Sequence, residues 1–131
     1  MFQNKTVLHV EDDNDVAEMV QALFENDPVN WIVAPTGGEG LALARELDPD
    51  LVVLDLMLPD ITGREFFLKM QDDPQLKDTP VWVLSVIWWN ANRFPWHEPS
   101  IVSYTFKPFE PCEFRDRILK LLGTNSSLIP S

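Results

Sequence analysis

Apolar residues fall into two kinds of run along this chain. Five short runs predict strands: Thr6-Val7-Leu8-His9-Val10, Trp31-Ile32-Val33-Ala34, Leu51-Val52-Val53-Leu54, Pro80-Val81-Trp82-Val83-Leu84-Ser85 and Ser103-Tyr104-Thr105-Phe106-Lys107-Pro108. The third run is unbroken, ends at Asp55 and is stopped by Pro59, as expected of a strand buried on both faces of a parallel sheet. Between the runs the apolar period becomes helical. Val16, Met19, Val20, Leu23 and Phe24 predict an amphipathic helix over 14–26 with these five inward, ended by Asp27-Pro28. Thr36-Gly37-Gly38-Glu39 and Thr62-Gly63-Arg64-Glu65 have the T-x-x-E capping-box form. The first opens a helix through Leu47. The second opens one with Phe66, Phe67 and Met70 inward, ended by Asp72-Asp73-Pro74. Glu110-Pro111 starts a last helix with a core stripe of Phe114, Ile118, Leu121 and Leu122, and Gly123 ends it. Strands alternating with helices imply an α/β fold, a parallel sheet covered on both faces.

Composition narrows the class. The 131 residues suit one domain, with residues 1–123 folded and 124–131 a flexible polar tail. Cys112 is the single cysteine, so no internal disulfide forms, which fits a reducing compartment. No start resembling a signal peptide and no bilayer-length apolar stretch is present, so we expect a cytoplasmic chain without a membrane partner. The net charge of −11, with only 10 Lys and Arg, argues against direct nucleic-acid binding. It leaves open that some acids form a cation site.

Where those acids lie gives the charge a sharper meaning. Glu11-Asp12-Asp13 follows the first strand, Asp55 the third, Ser85 ends the fourth and Lys107 follows the fifth. Helix capping accounts for Asp13, or for Asn14, but less well for Glu11 and Asp12. His9, inside a strand, reads as a hydrogen-bonded core histidine rather than a ligand. In a parallel sheet all these strand ends gather at one edge, where open α/β sheets do their chemistry. A carboxylate attacks phosphate poorly because both are anionic. A divalent cation held by neighbouring acids screens that repulsion, and magnesium needs only one or two carboxylates. A lysine balances the new charge and a hydroxyl can bond a phosphoryl oxygen. Gly37-Gly38-x-Gly40 is too poor a match to a dinucleotide fingerprint to count.

At these residues the chain resembles the response-regulator receiver domains of two-component signalling. The resemblance runs from residue 5 to about 123 and is carried by Val7-Leu8-His9-Val10-Glu11-Asp12-Asp13, by Leu54-Asp55-Leu56-Met57-Leu58-Pro59 with Gly63, by Leu84-Ser85, and by Tyr104 with Phe106-Lys107-Pro108-Phe109. It implies a flavodoxin-like, doubly wound five-stranded sheet in the order 2-1-3-4-5. It implies that Asp55 accepts a phosphoryl group from a histidine kinase or phosphotransfer protein. Asp12 would ligate Mg2+ directly, Glu11 mainly through water, and Asp55 and the Met57 backbone carbonyl would complete the protein's share. Lys107 would pair with the phosphate, Ser85 would turn inward to it, and Tyr104 would change rotamer with it. The Lys107–Pro108 bond is expected to be cis. The chain would be a regulatory phosphoacceptor, not an enzyme on other substrates, and would act as a stand-alone receiver on a downstream protein partner.

The chain departs from the family in two places. Val86 stands where Ala or Gly is usual, and Ile87 follows where a polar residue could orient water, which suggests slow loss of the phosphoryl group. Residues 88–99 occupy the place of the family's fourth helix, yet Pro95 lies among them. That helix is therefore expected to be short, kinked or absent. Trp88, Trp89 and Trp96 are either a partner surface, with homodimerisation left open, or filling for the space the helix vacates. His97 reads as a loop residue. Two other readings stay open: a receiver-like binding module that no longer switches, and an aspartyl-phosphate hydrolase. The hydrolase expects a D-x-D pattern that Asp55-Leu56-Met57 lacks.

Overall fold

A computed structural model describes residues 4–86 and 94–123. The elements are β1 (Lys5–Val10), α1 (Asn14–Leu23), β2 (Val29–Ala34), α2 (Gly37–Leu47), β3 (Leu51–Leu54), α3 (Gly63–Gln71), β4 (Val81–Ser85), β5 (Ile101–Phe106) and α4 (Pro111–Leu122). The strands form one sheet in the order β2-β1-β3-β4-β5. Every neighbouring pair is parallel, with Val10 level with Ala34 and Leu54, and Leu54 level with Val83. The alternation and order are those the sequence implies.

Helices cover both faces. On one, Leu8, Val10, Val52, Leu54 and Val83 pack with Leu41, Phe66, Phe67 and Met70. On the other, Val7, Val53, Trp82 and Leu84 pack with Val20, Phe24, Phe114 and Ile118. Alternate residues of one strand thus serve opposite faces, which is why β3 is fully apolar.

Side-chain oxygens cap the described helix starts, at Asp13, Thr36 and Thr62 as the sequence predicts and at Glu110 besides. Asp13 accepts from the amides of Asp15 and Val16, Thr36 from Glu39, Thr62 from Glu65, and Glu110 from Glu113. Gly123, with φ 79°, ends α4 in the left-handed conformation that glycine adopts without strain.

Two apolar stripes are corrected. In α1 the buried face is Ala17 and Val20, continued by Phe24 just past the helix, whereas Met19 is 38% exposed. One residue turns a helix by about 100°, so Met19 falls off a face centred on Val20. In α4 Leu119 is buried while Leu121 is 45% exposed, because the packed face is centred on Ile118 and Leu121 lies at its margin. The helix α1 also ends at Leu23, with turns over 24–26.

Of the segment at the family's fourth helix, residues 94–100 form bends and turns, consistent with Pro95 being excluded from a helix interior. Residues 87–93, with Ile87, Trp88 and Trp89, lie outside the described residues, as does the tail from residue 124. No helix among the described residues is long and apolar enough to cross a membrane.

Candidate functional site

The sheet itself positions the candidate side chains. Glu11, Asp55 and Lys107 each lie one residue beyond a strand, yet each still extends the ladder. Glu11 donates its backbone N–H to the Ala34 carbonyl (2.9 Å), Asp55 to Val10 (3.0 Å) and Lys107 to Ser85 (2.9 Å). Three backbones are thereby locked in register at one edge, and their side chains converge.

Asp55 is buried and takes contacts on both oxygens. The Ser85 hydroxyl donates to Oδ1 at 2.8 Å, and the Met57 amide donates to the same oxygen at 3.0 Å. The Lys107 ammonium donates to Oδ2 at 3.1 Å. Lys107 also donates to Glu11 Oε2 at 2.9 Å and stands 2.9 Å from Oε1. It therefore bridges two buried carboxylates. Burial and the neighbouring Glu11 push the Asp55 carboxyl above its ordinary value, against the Met57 amide and the Lys107 charge. Burial pulls the Lys107 ammonium down, but the bond to Glu11 and the charges of Asp55 and Glu11 outweigh it and hold it above the ordinary lysine value.

Oxygens of Glu11, Asp12 and Asp55 all lie within 4.8 Å of one another, with Asp12 the exposed member. Hard oxygen donors at that spacing, three acids against one ammonium, suit a divalent oxygen-loving cation. The residues present therefore fit magnesium. The Lys107–Pro108 peptide bond is cis, as the resemblance implies.

Ser85 and Tyr104, expected to move together, differ in placement. Ser85 already points at Asp55, whereas Tyr104 is 50% exposed. Tyr104 lies in a chain of ring contacts. Its neighbours are Phe106, at 4.8 Å between centroids, and Trp96, edge-on at 5.6 Å. Trp96 in turn meets Phe94 at 4.8 Å, and Phe94 is buried against Phe67. Phe94 thus packs onto Phe67 of α3, and Trp96 lies half-buried over it at the edge of the same core. Val86 is half-buried and His97 is exposed.

His9 is buried as expected, but neither ring nitrogen has a hydrogen-bond partner among the described residues, and Nε2 stands 3.5 Å from Glu11 Oε1. The side chain instead packs edge-on against Trp31 at 5.6 Å. Burial, then the Lys107 charge, lowers its pKa from 6.5 to about 3. Between those values the unfolded chain binds a proton that the folded one refuses. The contribution of His9 is therefore constant above about pH 6.5 and turns against the folded state as pH falls toward 3, with a slope approaching about 1.4 kcal/mol per pH unit. We expect His9→Phe to flatten urea-measured stability across that window by close to one proton's worth.

One contact has no counterpart in the sequence reading. Asp60 Oδ1 accepts from the Gly37 amide and Oδ2 from the Gly38 amide, both at 2.8 Å. No local pattern links an aspartate after Pro59 to a helix start so far back in the chain.

Comparison with known proteins agrees with this geometry. The response regulator receiver domain family matches residues 7–119. The chain belongs to that family. The polar-differentiation response regulator DivK of Brucella ovis is 29% identical over 119 residues, covering 91% of this chain and 97% of DivK. The DNA-binding dual master transcriptional regulator RpaA of Synechocystis is 30% identical over 116 residues, 88% of this chain. The match spans only 48% of RpaA. Among solved structures, the Francisella response regulator 1452 receiver domain superposes with a TM-score of 0.77 at 29% identity, covering 90% of this chain and 96% of that one. The chemotaxis protein CheY4 of Vibrio cholerae, at 24% identity, gives a TM-score of 0.78 over 89% of this chain and 98% of its own, a likeness of fold. As a receiver domain, the chain is regulatory rather than a classical enzyme, and its family works in two-component signalling.

Proposed function

We propose that this receiver is a phosphorylation-dependent switch in which Asp55 accepts a phosphoryl group, with Mg2+, from a histidine kinase or phosphotransfer protein. The observation that carries the reading is the clamp on Asp55: Ser85 and Met57 on one oxygen, Lys107 on the other, with Glu11 and Asp12 alongside. Burial alone asks for partners on Asp55, but it does not ask for two more carboxylates beside it, and the gathering of Glu11 and Asp12 there suits a bound cation.

In the transfer, an Asp55 oxygen attacks phosphorus while the bond from phosphorus to the donor histidine nitrogen breaks, and that nitrogen keeps the electron pair. Glu11, Asp12, Asp55 and the Met57 carbonyl would hold the ion. When bound, magnesium screens the repulsion between the entering phosphoryl oxygens and the carboxylates. The Lys107 ammonium passes from Asp55 Oδ2 to a phosphoryl oxygen, and the Ser85 hydroxyl passes from Oδ1 to another. Tyr104 then moves inward from its exposed position, which alters the aromatic surface it shares with Trp96. New charge and new hydrogen bonds thereby bias a two-state element. A downstream protein reads that surface, with Trp88 and Trp89 as further candidates for the contact.

The test is incubation with MgCl2 and a small acyl phosphate donor. An aspartyl-phosphate adduct that forms on the wild type, and not on Asp55→Asn or without the metal, is the expected result. Rapid turnover of unrelated phosphoesters would favour a hydrolase instead.

A further inference from the structure

We infer that Asp60 is a positioning residue for the phosphoacceptor site, its carboxylate tying the loop that carries Asp55 and Met57 to the first turn of α2. This rests on the reading of Asp55 as phosphoacceptor beside magnesium and adds a residue to it.

The first amides of a helix have no partner within the helix. In α2, Thr36 Oγ1 satisfies only Glu39, at 3.1 Å. The Gly37 and Gly38 amides are left, and Asp60 takes one with each oxygen, both at 2.8 Å. The carboxylate also meets the positive end of the helix, so these are charge-assisted bonds, and the two amides hold its pKa below the ordinary aspartate value. The fit is steric as well as polar. A Cβ at Gly37 would run into the Ile61 side chain, so the loop lies directly on the helix start.

The near end of that loop is the functional end. The Met57 amide is pinned to Asp55 Oδ1 at 3.0 Å, and the Leu56 carbonyl accepts from Gly63 at 2.9 Å. Leu58 packs half-buried against the core and a bridge between Met57 and Thr62 closes the base of the loop, whereas Pro59 at its tip is exposed. Asp60 adds the hydrogen bonds that tie this tip to α2. Magnesium tolerates little departure from octahedral geometry, so a loop free to drift misplaces the Met57 carbonyl by enough to matter.

Mg2+ affinity of the full chain by titration calorimetry, thermal midpoint and the rate of adduct formation with a small acyl phosphate test this. The variants are Asp60→Ala, Asp60→Asn and Thr36→Ala. Asp60→Ala is expected to weaken Mg2+ binding about tenfold, as loss of a group supporting a ligand does. Asp60→Asn, which keeps one acceptor for one of the two amides, is expected to weaken it by less than Asp60→Ala does. Thr36→Ala removes a cap from the same helix turn and lowers the midpoint, but leaves Mg2+ affinity within about twofold. Wild-type affinity in Asp60→Ala overturns the inference. So does equal weakening in Thr36→Ala, which would assign the effect to helix stability. A wild type that neither binds Mg2+ nor forms the adduct sinks the underlying reading, and this inference with it. A wild type that does both, beside an unaffected Asp60→Ala, sinks the inference alone.

Discussion

Lys107→Met costs the metal-free protein about 3–5 kcal/mol of unfolding free energy, the usual result of removing one partner from a buried ion pair. The reason is in the bridge. Glu11 is 1% exposed and Asp55 5% exposed, and the ammonium that touches both is their one nearby positive charge among the described residues. Methionine fills much of the same volume but supplies no charge. Two buried carboxylates then face each other across the strand ends. Two further results separate this cause from lost packing. The cost shrinks as pH falls, because Asp55, already pushed up by burial, takes up a proton. It also shrinks in millimolar MgCl2, because the cation binds the variant's unneutralised carboxylates more tightly than the wild type's and so stabilises the variant more. Urea denaturation at neutral and mildly acid pH, with and without the metal, checks all three.

Gly63→Ala is expected to cost about 1–3 kcal/mol, the range for forcing a methyl into filled space. A Cβ at Gly63 would sit 2.5 Å from the Leu56 Cα and 3.1 Å from the Asp55 carbonyl oxygen. The nearest obstacle is backbone, which cannot swing aside. Gly63 is therefore required for room, not for an unusual φ. The displaced residue lies between Asp55 and Met57, so the variant also forms the aspartyl-phosphate adduct more slowly than its stability loss alone explains. Comparing adduct rates at a temperature where both proteins are fully folded isolates that part.

Much of the candidate site is legible in the sequence because a parallel sheet makes strand ends interchangeable with positions in space. Once Val10, Leu54, Ser85 and Phe106 end parallel strands, Glu11, Asp55 and Lys107 must meet at one edge. Capping boxes were legible for a similar reason: Thr36 with Glu39 and Thr62 with Glu65 are local, and the local bond dominates. The side of a helix that faces the core is less local. Met19 and Leu121 have the right spacing, but the docking angle against the sheet leaves them at the margin. The general rule for buried polar groups predicts a hydrogen bond on His9, yet its ring stands near Glu11 without one among the described residues. The Asp60 contact with α2 joins loops that no periodicity relates, so only the folded chain displays it.

Asp55 began as a carboxylate at the end of an apolar run, and the measurement that bears on it most directly is mass spectrometry of the protein after exposure to MgCl2 and a small acyl phosphate. One added phosphoryl group on the wild type, lost with Asp55→Asn and absent without the metal, is the predicted result. An unmodified wild type, or an adduct that survives Asp55→Asn, would contradict the assignment of Asp55 as the phosphoacceptor.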